Sequence, residues 1–161
     1  MDCGYGRETL KLAPLVGTVY GIDVSDEILV KASQFLGQNG ITNFVPVEYD
    51  RYRSAVPDDL DLVFSIVVMQ HLTRNLVVEY FTVLGSKLKP GGSVIVQFLE
   101  ELFDGVELFD AELKKHEPSV SWTLRQIARL SEQSELEFVQ TRTLKVTPSA
   151  LWHWIHFRRS S

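Results

Sequence analysis

Three short, nearly unbroken apolar runs dictate most of what this chain can become: residues 18–22 (TVYGI), 60–66 (LDLVFSI) and 93–99 (SVIVQFL). Each is shorter than a stable helix, and none alternates as a strand with one wet face does. They read as strands buried on both sides in a parallel sheet. Between them the spacing turns helical. Ser25, Asp26 and Glu27 supply a hydroxyl cap and first-turn acids, Ile28, Leu29, Ala32, Phe35 and Leu36 continue the stripe, and Gly37 or Gly40 ends it. A second helix is predicted over residues 73–88, with Leu76, Val77, Tyr80, Phe81, Leu84 and Leu88 on one side. Lys89, Pro90, Gly91 and Gly92 form its stop and turn. Residues 44–47 add a strand whose Pro46 demands an edge position or a strand end.

The order β–α–β–β–α–β implies right-handed crossovers and an α/β fold, a mostly parallel sheet with helices on both faces. Further on, residues 100–117 are acidic and irregular, either a solvated connection or a lid. A helix is expected over residues 122–134 with Leu124, Ile127, Ala128 and Leu130 inward. Residues 137–146 and 151–158 are expected as an antiparallel hairpin, turning at Thr147, Pro148 and Ser149 and lying beside the strand 93–99. There are no repeats or linkers, so residues 1–161 are expected to form a single domain.

Composition narrows the function classes. A net charge of −5 argues against nucleic acid or an anionic membrane as partner, since either requires a basic face. The stretch His156, Phe157, Arg158, Arg159 is too short to reverse that balance. The apolar stretch around residues 66–69 is far too short to span a bilayer. The single cysteine, Cys3, cannot close an intramolecular disulfide, so a reducing cytoplasm is the expected location.

The chemistry concentrates in a few places. Cys3, Gly4, Tyr5, Gly6 and Arg7 form a glycine-rich turn running into a helix at residues 8–15. Such a turn lets the backbone approach a ligand and present N–H groups at a helix N-terminus. Asp23, at the end of the next strand, stands where an acid grips ribose hydroxyls in dinucleotide-type folds. The other reading makes Gly4 and Gly6 ordinary turn glycines and Asp23 a capping acid. A nicotinamide site asks for G-x-G-x-x-G, but the third position counted from Gly4 is Thr9, which argues against a dehydrogenase. His71, just past the strand 60–66, is the histidine at the expected pocket mouth, and a helix-capping or packed role is its alternative. No H-E-x-x-H or cysteine cluster occurs, so no metal site is expected.

The run CGYGRET, then GIDVS, DLVFSIVVMQHL and LKPGG, with a final W-x-x-x-R-type strand at residues 154–158, resembles the class I S-adenosylmethionine-dependent methyltransferases of the small-molecule type. The likeness covers essentially the whole chain. It implies a Rossmann-like methyltransferase sheet with S-adenosylmethionine as cofactor and a small-molecule methyl acceptor. It implies that the loop of Cys3, Gly4 and Gly6 cups the cofactor's methionine end, that Asp23 holds the ribose, and that Val24 lies beside the adenine. Glu48, with Asp50 as the fallback, would read the adenine amino group, and Ser65 and Ile66 would face cofactor and substrate. His71 would take the proton of an oxygen nucleophile.

The departure from the family lies at the start, where D-x-G-C-G-x-G-R normally follows an apolar strand. Aligning Cys3, Gly4, Gly6 and Arg7 puts Met1 and Asp2 where x-G belongs; making Asp2 the motif acid puts Glu8 at the third glycine. Either register lacks the first strand. The expectation is an N-terminally truncated domain in which the strands ending at Asp23 and Ser65 pair directly or a second copy covers the gap as a homo-oligomer. A non-catalytic fold remnant serving as an oligomeric or interaction module is the competing function.

Overall fold

A chain that leaves one strand through a helix and returns to the same sheet comes back parallel, and the N-terminal part of this protein does so. The computed structural model describes residues 3–102 and 119–160. The acidic stretch, from residue 103 onward, and His116 within it lie outside those residues. The chain packs as two compact units, residues 1–57 and 58–161.

In the first unit, a short helix α1 (Arg7–Leu12) precedes β1 (Val19–Asp23), α2 (Asp26–Gln38) and β2 (Phe44–Glu48). β1 and β2 pair in parallel, from Val19 opposite Phe44 to Asp23 opposite Glu48. As expected, Ser25 caps α2: its side chain accepts a hydrogen bond from the Ile28 N–H. Gly40, at φ 78°, closes the far end of the helix. Leu29, Ala32 and Leu36 of α2 are buried, as are Ile22, Val47 and Tyr52. Pro46 sits in β2, whose ladder partner among the described strands is β1 alone, an arrangement a strand proline tolerates. A one-turn helix, α3 (Tyr52–Ala55), which the apolar pattern did not suggest, follows β2.

The second unit holds a four-stranded sheet in the order β3-β4-β6-β5, built from β3 (Leu60–Ser65), β4 (Leu88–Glu101), β5 (Leu136–Thr147) and β6 (Ala150–Arg159). β3 and β4 are parallel; β6 pairs antiparallel with β4 and with β5. The expected C-terminal hairpin is present and flanks the strand that contains residues 93–99. α4 (Arg74–Ser86) and α5 (Leu124–Gln133) complete the unit.

Alternation along β4 puts Val94, Val96 and Phe98 on one face, opposite Phe157, Ile155 and His153 of β6. That face carries the core. Phe81 of α4 meets Phe157 edge-on at 5.2 Å, and Trp122 lies 5.3 Å from Phe98.

Four expectations need correction. Lys89, Pro90, Gly91 and Gly92 are not a turn ahead of the strand but a bulge inside β4: Leu88 already faces Leu60, while Ser93 faces Leu62. The early pairing of Leu88 captures the chain, and Gly91 absorbs the excess residues at φ 77°. β4 also continues through Glu100 and Glu101, which pair with Leu151 and Ala150, so those two acids belong to the sheet. Leu124 is exposed, because Thr123 caps α5 in a capping box with Gln126 and the inward stripe begins at Ile127. Finally, among the described residues the ladder partner of the strand ending at Asp23 is β2 and that of the strand ending at Ser65 is β4.

Candidate functional site

The sequence-predicted residues fall into two groups, one in each unit. The first lies at the carboxyl ends of β1 and β2, the end where parallel α/β sheets bind ligands. The turn at residues 3–6 is held against β1 by the Cys3 N–H, which donates to the Ile22 carbonyl at 3.0 Å. Gly4 and Gly6 stand at φ 52° and 81°, backbone that an L side chain resists. Gly6 is also tightly placed: a Cβ there would lie 3.0 Å from Cγ and Cδ1 of Leu36, which would have to shift. The glycines are therefore required by geometry.

Asp23 ends β1 with 3% exposure. Its Oδ2 accepts from the Gly4 N–H at 3.3 Å and its Oδ1 from the Ser25 N–H at 3.0 Å. One carboxylate thus ties the glycine turn to the start of α2. Two oxygens offer about four acceptor directions, so capacity remains for hydroxyl donors. Val24 follows with 78% exposure, an apolar side chain presented next to the acid. Glu48 faces Asp23 across the ladder and is exposed. Asp50, also exposed, lies two residues on, in the 3-10 turn Tyr49–Arg51. Tightly turned backbone, an acid at a strand end and an exposed aliphatic surface suit a ligand with a sugar and a flat ring. These residues fit a nucleoside-type cofactor.

The second group lies at the carboxyl end of β3. Ser65 is buried, and its Oγ has no partner among the described residues. Ile66 is half-buried. Val67, at φ 60°, occupies the left-handed region that a β-branched residue avoids, and positions of this kind cost about 1–3 kcal/mol. Its N–H donates to Oε1 of Gln97 at 3.0 Å. The chain then passes through buried Val68 into the 3-10 turn Met69–His71, where the His71 N–H donates to the Val68 carbonyl at 2.8 Å. The His71 side chain is exposed, and the cap of α4 is Thr73, so neither the packed nor the capping alternative describes it.

The segment at residues 120–122 edges this second group. Val120 N–H donates to the Gln70 carbonyl, Trp122 N–H donates to that of Leu99, and the Arg74 guanidinium stacks 4.5 Å over the Trp122 ring.

Sequence reasoning missed two features. Gln97 was passed over inside an apolar strand, although a lone amide in SVIVQFL was a visible irregularity. His153, only 1% exposed, is bonded to Glu100 Oε2 at 2.6 Å and to Thr143 Oγ1 at 2.8 Å. That link crosses three strands, and no local pattern announces it.

Comparison with known proteins places this geometry. The family described as "Methyltransferase domain" matches residues 1–92. An N-terminal Xaa-Pro-Lys N-methyltransferase 1 from Bos taurus is 28% identical over 158 residues, covering 95% of this chain and 68% of the relative. N-terminal Xaa-Pro-Lys N-methyltransferase 1-A from Xenopus laevis is 26% identical over 162 residues, covering 98% and 69%. Among solved structures, magnesium protoporphyrin IX methyltransferase from Synechocystis PCC 6803 with bound SAH superimposes with a TM-score of 0.73. It is 17% identical, with coverage of 99% of this chain and 71% of that one. Phosphoethanolamine N-methyltransferase 2 from Haemonchus contortus, in complex with S-adenosylhomocysteine, gives a TM-score of 0.79 at 16% identity, covering 99% and 48%. A glycine turn and acid at parallel strand ends, a C-terminal antiparallel hairpin, and a family match over residues 1–92 lead to one conclusion: the chain belongs to the methyltransferase-domain family, the class I enzymes that use S-adenosylmethionine.

Proposed function

We propose that this chain methylates an amine nitrogen, with a protein α-amino terminus of the Xaa-Pro-Lys type as the acceptor. The observation that carries the acceptor class is the likeness to the Bos taurus and Xenopus laevis relatives, which bear that name and align along 95% and 98% of the chain. The small-molecule acceptor expected from the sequence is the rival outcome of the same experiment. Both units act together as one methyltransferase domain in this reading, supported by a family match that runs across the boundary at residues 57 and 58.

When bound, S-adenosylmethionine supplies a methyl group on a cationic sulfur, an electrophile that needs no further activation. The residues of this chain do the rest. The backbone of Cys3, Gly4 and Gly6 holds the methionine end, Asp23 accepts from the ribose hydroxyls, and Val24 packs on the adenine. Glu48, or Asp50, takes the adenine amino group, and Ser65 and Ile66 border cofactor and acceptor. An amine attacks only through its free lone pair, so His71, exposed on a fixed turn, receives the proton. The remaining contribution expected of the chain is to orient the acceptor nitrogen, the proximity effect by which positioned groups lower a barrier.

Incubation with S-adenosylmethionine and a peptide beginning Xaa-Pro-Lys, followed by mass spectrometry, should add methyl groups at the peptide's N-terminus. His71→Gln should lower kcat by roughly 10²–10⁴-fold. Methylation of small amines but not the peptide would overturn the acceptor assignment. No thermal stabilisation by S-adenosylmethionine, where binding at 100 times Kd adds ~2.7 kcal/mol, would favour the non-catalytic module instead.

Among the described residues no helix is long and apolar enough to cross a membrane. A cytoplasmic location and a homo-oligomeric state belong to the proposal as well.

A further inference from the structure

We infer that Gln97 is a positioning residue, whose side-chain carbonyl clamps the backbone of Val67 in its left-handed turn and thereby fixes where His71 stands. The inference rests on the proposed role of His71, but the clamp can be tested without it.

Gln97 is the one strongly polar side chain buried in the middle of β4, with 1% exposure. An apolar residue would fill that place without the desolvation an amide suffers, so a specific partner has to justify it. The partner is the Val67 N–H, at 3.0 Å from Oε1. The ladder explains the need. β3 is matched to β4 as far as Ser65 opposite Val96. Beyond that register the backbone of β3 turns away, and the Val67 N–H has lost its place in the ladder. Gln97, one residue past Val96, supplies a side-chain acceptor in place of a backbone one.

Val67 is where the direction changes. It is β-branched, stands at φ 60°, and leaves its side chain 41% exposed. Such a residue holds that conformation only when its surroundings impose it. From there to His71 little freedom remains. Val68 and Met69 are buried, their turn packs on β4, and the His71 N–H is bonded to the Val68 carbonyl at 2.8 Å. Were Val67 to relax into the β or right-handed helical region, the turn carrying His71 would be aimed elsewhere. The Gln97 Nε2 has no partner among the described residues, so the clamp depends on Oε1 alone.

Gln97→Met keeps the length and volume of the side chain and removes the acceptor. With S-adenosylmethionine and an Xaa-Pro-Lys peptide, it should lower kcat by on the order of 10²-fold, the penalty of a misplaced group, with KM for the cofactor nearly unchanged. In a His71→Gln background the same substitution should cost under ~3-fold, because the group it positions is already gone. Adding Val67→Gly to Gln97→Met should recover at least ~10-fold in kcat, since glycine adopts positive φ without a clamp. An equal loss in both backgrounds, or no recovery by the glycine, would reduce Gln97 to a packing residue and overturn the inference. Amide hydrogen exchange reads the clamp without catalysis. Gln97→Met should speed exchange at Val67 more than ~10-fold while Val94 and Val96 keep their protection. An inactive wild-type chain would refute the acceptor assignment and leave this measurement to decide the clamp. Unchanged exchange at Val67 would overturn it.

Discussion

Asp23 has two duties, and its substitution should reveal both. Its carboxylate accepts N–H donors from Gly4 at 3.3 Å and Ser25 at 3.0 Å, while the same group is assigned to the ribose hydroxyls. Asp23→Ala strands both donors. Each orphaned N–H costs about 1–3 kcal/mol when buried, and because Gly4 and Ser25 are only half-buried the lower end applies. A total loss of roughly 2 kcal/mol in urea denaturation is expected, since water reaches both sites in part. Asp23→Asn keeps one carbonyl oxygen and can hold one of the two donors, so it should lose about half as much. Cofactor affinity should respond differently. Hydrogen bonds to a charged group contribute about 1.5–3 kcal/mol, which predicts a roughly 10- to 150-fold weaker Kd for S-adenosylmethionine in calorimetry. Asparagine offers a hydroxyl a neutral acceptor and should fall between alanine and wild type. If Asp23→Ala destabilises the fold but leaves the affinity of a binding-competent chain unchanged, the carboxylate is a turn brace and the ribose assignment fails.

The remaining predictions concern the scaffold. Gly6→Ala should destabilise by roughly 2–4 kcal/mol, since positive φ and a 3.0 Å approach to fully buried Leu36 act together. Gly37→Ala, inside α2 with open space at its Cβ position, should instead stabilise by up to ~1 kcal/mol; parallel denaturant melts compare the two. His156 has its pKa lowered from 6.5 by burial and then by the charge of Arg158. The unfolded chain therefore takes up this proton first as pH falls. His156 should leave stability untouched above about pH 6.5 and reduce it as pH drops through and below that value, and His156→Gln should remove that part of the slope in melts between pH 5 and 8. A light-scattering mass equal to one chain would remove the proposed homo-oligomer.

How much of this was legible beforehand depends on whether the cause is local. Ser25 as the cap of α2, the start of α4 near residue 73 and Asp23 at the end of β1 could all be read from the sequence, because each is settled within about four residues of chain. The C-terminal hairpin was legible for the same reason: two strand-like segments flank a Thr-Pro-Ser turn, and the structure pairs them from Leu136 opposite Arg159 to Thr147 opposite Ala150. The bulge at residues 89–92 was not, since Pro and Gly signal a turn with equal force whether or not Leu88 has already found Leu60 across the sheet. Leu124 failed in a related way: helical spacing ranks it with Ile127, and only the entry angle set by the Thr123 cap turns it outward.

Val67 shows where local reading ends. Nothing in Ile66-Val67-Val68 calls for positive φ, and intrinsic preference argues against it more strongly than for almost any other residue. The conformation is imposed from thirty positions away by Gln97, whose own presence in an apolar strand looks like a fault until the Val67 N–H is found against it. Two local violations that cancel through one hydrogen bond are what a functional position is expected to leave in a sequence. Each anomaly is visible alone. Their pairing is tertiary, and so is the placement of His71 that depends on it.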